Sequence, residues 1–133
     1  MIIFARSTDF SKTYPDNNAS DFRISLIRKA EFDATAQIGL LELIVPPITE
    51  QKTCYLISNI CGYSQCGSSF RRVLMVLNLQ PSAKSQRVVI ERVLYFPLNC
   101  VDFQDIRISL VDEKDQFLTF AKGAQTFVAL EIK

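Results

Sequence analysis

The stretch Tyr14-Pro15-Asp16-Asn17-Asn18-Ala19-Ser20-Asp21-Phe22-Arg23-Ile24-Ser25-Leu26 decides how the chain is read. A turn-forming run, with Pro15 fixing φ and Asp16 and Asn17 able to bond their own backbone, leads into a strict alternation of apolar and polar residues. Phe22, Ile24 and Leu26 share one face of a strand, and Arg23 and Ser25 share the other. The same period recurs in Ile106, Ile108 and Leu110 against Arg107 and Ser109.

Outward from that stretch, no segment sustains a helical apolar stripe, and apolar runs of strand length fill the chain. The pattern predicts strands at 2–6, 22–27, 36–45, 53–60, 70–79, 87–95, 104–110, 116–120 and 125–132. Pro46-Pro47 ends the third of these, and turns are expected at 111–115 and at Lys122-Gly123-Ala124. The C-terminal third therefore reads as a meander, while the longer links at 7–21, 28–35 and 80–86 leave room for crossings between sheets. The expected fold is all-β, a single jelly-roll sandwich of eight or nine mostly antiparallel strands in one domain over residues 1–133.

Composition agrees with a compact core. Apolar residues make up 48% of 133, with ten Phe, no Trp, and only four Gly and five Pro, which excludes disordered and collagen-like classes. Fifteen basic and fourteen acidic residues give a net charge of +1, so no long-range field recruits nucleic acid. No apolar run approaches the roughly 20 residues that span a bilayer, and Arg6, Asp9 and Lys12 interrupt a signal-peptide pattern. A cytosolic or nuclear chain without a membrane partner is expected. In that setting Cys54, Cys61, Cys66 and Cys100 read as reduced structural thiols.

The chemistry of common enzymes is sparse. There is no histidine, which removes Ser-His and Cys-His pairs and the commonest zinc ligand. Gly39, Gly62, Gly67 and Gly123 form no phosphate-binding loop, and the acidic residues at 102–105 and 112–115 read as solvated turns. Arg71 and Arg72 point to opposite faces of a strand and read as surface residues. No catalytic residue, metal or cofactor is expected.

Three strands are apolar on both faces: 38–45 except Glu42, 73–79 except Asn78, and 88–94 except Glu91 and Arg92. In an antiparallel sandwich only one face of each sheet meets the core, so the other needs a cover. Either subunits or the chain's own loops supply it. The subunit reading makes Tyr14, Ile38, Leu40, Ile44, Leu74 and Val76 the candidate interface residues.

Ser11-x-x-Tyr14-Pro15-x-Asn17-x4-Phe22-x3-Leu26, followed by Ile38-Gly39-Leu40-Leu41-Glu42-Leu43-Ile44-Val45-Pro46, resembles the N-terminal segment of penton-like minor capsid proteins of Polinton, adintovirus and virophage-like elements. Phe96-Pro97-Leu98, Phe103-x-x-Ile106-x-Ile108-x-Leu110-x-Asp112, Phe120-x-x-Gly123 and Val128-Ala129-Leu130-Glu131-Ile132 are similar to the C-terminal part. The chain lacks the Trp that those relatives carry near Ala36-Gln37. The resemblance implies a structural virion protein, made in the host cytoplasm and assembled there or in the nucleus. It implies a homo-oligomer, a pentamer at capsid vertices, beside a major capsid protein. Two non-viral alternatives share the oligomeric jelly roll: a nucleoplasmin-like chaperone and a trimeric spike or ligand head.

Overall fold

The computed structural model describes all residues 1–133 and is all-β, with antiparallel sheets and no helix. Its strands are β1 (Ile2–Arg6), β2 (Asp21–Glu31), β3 (Gln37–Val45), β4 (Lys52–Ser58), β5 (Ser64–Cys66), β6 (Ser69–Arg71), β7 (Val73–Leu79), β8 (Gln86–Val89), β9 (Tyr95–Pro97), β10 (Asp102–Val111) and β11 (Phe127–Ile132). One sheet runs β1-β11-β3-β8, with β9 also on β3, and the other runs β2-β10-β4-β7. β5 and β6 form a separate hairpin. No helix is long and apolar enough to cross a membrane.

The alternation predicted from sequence builds the core. Ile3 and Ala5, Ile38 and Leu40, and Val128, Leu130 and Ile132 line the inner side of the first sheet. Phe22 and Ile24, Cys54 and Leu56, and Ile106, Ile108 and Leu110 line the inner side of the second. Both rows belong to one cluster of 24 buried residues, a sandwich-like arrangement. Each Leu, Ile or Phe buried there contributes on the order of 1.5–3 kcal/mol.

The sequence reading needs correcting where chain connections overrule local pattern. The C-terminal third is no meander, because β10 lies in one sheet and β11 in the other. The turn at Lys122–Ala124 forms, with Gly123 at φ 81° and Ala124 N–H donating to Ala121 C=O at 3.0 Å, but it belongs to a crossover. The strand expected at 116–120 shrinks to a bridge between Val111 and Phe117. The segment 70–79 divides at Arg72, where the chain leaves β5 to pair with β4. The segment 87–95 divides into β8 and β9, which pair β3 on either side of Leu41.

Candidate interaction surface

The turn at 14–17 is bound to the sheet by its side chains. The Tyr14 hydroxyl donates to Asp105 Oδ1 at 2.6 Å, and that bond raises the phenol above its ordinary pKa. The Asp105 carboxylate thus keeps the phenol protonated. Asn17 acts like one residue of an extra strand: its Nδ2 donates to Arg23 C=O at 3.0 Å, and its Oδ1 accepts Arg23 N–H at 2.9 Å. Next to it, Arg107 grips Asp21 with two bonds of 2.8 Å, and Ser109 Oγ adds a third at 3.0 Å. Burial pushes the Asp21 carboxyl up, but the bonds from Arg107 and Ser109 outweigh it and hold the group below the usual range.

Part of the outer face of the β2-β10-β4-β7 sheet, around Tyr55, is covered by the chain itself. The Arg71 guanidinium lies 4.8 Å above the Tyr55 ring, donates through Nη2 to Glu113 C=O at 2.9 Å and sits 3.4 Å from Asp115. Arg72 lies 4.6 Å over Tyr63 and donates to Asn59 C=O at 3.0 Å. Each arginine rests on a different aromatic ring and a different backbone carbonyl of this chain. They fasten the β5–β6 hairpin and the 112–115 turn over the sheet.

Bulges account for most of the two-faced strands. Between β3 and β11, Leu40 pairs with Leu130 and Glu42 with Ala129, which leaves Leu41 without a partner. That extra residue reverses the alternation, so Ile38 and Leu40 before it and Leu43 and Val45 after it all point inward. Between β4 and β7, Leu74 is the extra residue, and it is fully buried. Ile38, Leu40 and Leu74 are thus core residues whose side chains are already covered, and the interface assignment fails for them. Ile44 is half-buried on the outer face, Val76 is 47% exposed, and Tyr14 is occupied with Asp105.

The outer face of the β1-β11-β3-β8 sheet has no such cover. Register aligns Phe4, Ala129, Glu42 and Val89 in one row and Arg6, Phe127, Ile44 and Arg87 in the next. Phe4 and Phe127 stack at 6.4 Å, yet Phe4 stays 67% exposed and Val89 56%. Arg87 pairs with Glu42, so the surface carries little unpaired charge at its centre. A third row, Ile2, Glu131, Gly39 and Tyr95, is closed by the Tyr95 hydroxyl bonding to Glu131. A Cβ on Gly39 would stand 2.7 Å from Val93 and 2.9 Å from the Tyr95 ring, so only glycine admits that ring.

Sequence reasoning flagged the strand that holds Val89 but missed Ile2, Phe4 and Phe127, although their signal was present. Ile2-Ile3-Phe4-Ala5 is apolar at every position, as a strand needs when its second face is bare.

Elsewhere the molecule offers little reactive chemistry. A cleft of about 540 Å³ between residues 7–20 and 117–124 is lined by Thr8, Ser11, Asn17, Phe117, Phe120 and Lys122 among others. Its one ionisable side chain gives no acid–base pair. Burial pushes the Cys54 thiol up to about 12 and Cys61 to about 11, while Cys66 and Cys100 are half-buried. Compared with protein-family models and with curated proteins, the sequence matches none.

Proposed function

We propose that the chain is a structural virion protein, a penton-like minor capsid subunit with a single jelly-roll domain that assembles with copies of itself and performs no catalysis. The observation that carries this reading is the strand order. Each sheet interleaves early and late strands, β1-β11-β3-β8 facing β2-β10-β4-β7, with the first and last strands as neighbours. Such interleaving of early and late strands across a five-stranded and a four-stranded sheet supports the jelly-roll reading. The capsid role rests on the resemblance of the Tyr14-Pro15-x-Asn17 segment, and self-assembly rests on the exposed apolar side chains of Phe4 and Val89. Five copies, placed beside a major capsid protein in a virion, is the assembly that the resemblance implies.

Mass photometry and light scattering of the purified chain test the assembly. Discrete particles in multiples of five copies are expected at micromolar concentration. A monodisperse monomer there would sink the proposal.

A further inference from the structure

The ends of the two sheets are unequally protected. A bare strand edge presents free N–H and C=O groups to any other strand, and proteins ordinarily block it with charge, proline, bulges or side-chain caps. On β2, Asn17 occupies both backbone groups of Arg23, and four residues, 26–29, stand opposite Gln104 alone in an irregularity that leaves Ile27 99% exposed. β7 is uncharged as well, but it is broken by the bulge at Leu74, and just past its end the Gln86 side chain bonds both backbone groups of Gln80. β8 is four residues long and carries Arg87. Between Ile2 and Ala5, β1 has no charge, no proline and no bulge.

The backbone bonds define what β1 leaves open. Ile132 N–H donates to Met1 C=O and Ser7 N–H donates to Thr126 C=O, each at 2.8 Å, so odd-numbered residues face β11. By alternation, the groups of Ile2, Phe4 and Arg6 face away from the sheet. Arg6 is already closed, because its N–H donates to Asp9 Oδ2 at 2.9 Å and its C=O accepts Asp9 N–H at 3.1 Å. Ile2 and Phe4 remain, with their side chains on the uncovered face.

We propose that β1 is a self-association edge, pairing antiparallel with β1 of a second copy about a two-fold axis at Ile3. In this register Ile2 of each copy lies opposite Phe4 of the other, and each pair exchanges two backbone bonds. The Asp9 cap selects it. The next register places Arg6 opposite Ile2, where Arg6 has neither group free. No charged side chain falls inside the paired stretch, and the two Phe4–Phe127 stacks join on one continuous face. The contact is isologous, so it satisfies both edges at once and leaves none exposed. It shares with the proposed function only the premise of self-association, and does not require a shell.

Sedimentation velocity on the full chain, with Phe4→Pro and Phe4→Lys beside the wild type, tests the pairing. The Phe4 N–H points off the edge, so proline there spares the bonds to β11, and both variants should keep the wild-type circular dichroism. Each should weaken β1 pairing by at least about tenfold and halve the particle mass: dimer to monomer, or ten copies to five where a ring also forms. If proline at this position unfolds the chain, the lysine variant decides alone. Folded variants that keep the wild-type mass overturn the inference, as does a wild type that shows no even-numbered assembly at about 100 μM, roughly a hundredfold above a micromolar Kd. An even-numbered assembly without any multiple of five would refute the five-copy reading and leave this one standing.

Discussion

The outer faces of the two sheets start from similar sequence and end differently. On the β2-β10-β4-β7 side, Tyr55 lies under Arg71, and Asp21, Arg107 and Ser109 satisfy one another. On the β1-β11-β3-β8 side, Phe4 and Val89 meet solvent and one edge carries two unused pairs of backbone groups. Apolar residues on a second face therefore do not by themselves indicate a partner. What matters is how much of the cover the same chain has supplied, and here Tyr55 lies under a clasp while Phe4 stays open.

The largest effect that could break this comparison lies in the core between the faces. Leu40→Asp and Leu74→Asp each bury an unpaired carboxylate, at a cost of about 4 kcal/mol or more, and should unfold the chain rather than dissociate it. Chemical denaturation with circular dichroism reads the loss. A folded, dissociated Leu40→Asp variant would mean that the bulge at Leu41 does not turn this strand inward.

A smaller effect belongs to the covered face. Arg107→Ala removes both bonds to Asp21 from a partly exposed site, so a cost of about 1 kcal/mol is expected after screening by solvent. The sign of the pH dependence follows from the lowered carboxyl. Its stabilising contribution is present above the unfolded pKa near 4 and is lost as pH falls through the lower folded value. Acid titration of stability should therefore be shallower below about pH 4 in Arg107→Ala than in the wild type. Parallel curves would show that the pair adds nothing to the covered face.

The fold was legible wherever the period stayed at two. Phe22 and Ile24, or Ile106, Ile108 and Leu110, reach the core on alternation alone. Legibility ended at Leu41 and Leu74, because one inserted residue reverses the inward row and makes a one-sided strand look apolar on both sides. It ended again at Lys122–Ala124, where a turn identical in composition to a hairpin turn serves a crossover. The clasp of Arg71 on Tyr55 was beyond reach, since it joins residues distant in sequence through a hairpin too short to read as strands. Asn17 was readable as a turn former, but its role as a plug on β2 depends on where the turn lands.

Amide hydrogen exchange followed across protein concentration tests most directly whether the open side is the associating one. The Phe4 amide should slow by about tenfold once nine-tenths of the chains are paired, while the Arg23 amide, already held by Asn17, keeps its rate. A Phe4 amide that exchanges at one rate at every concentration, or protection that grows at β2 or β7 instead, would contradict the account.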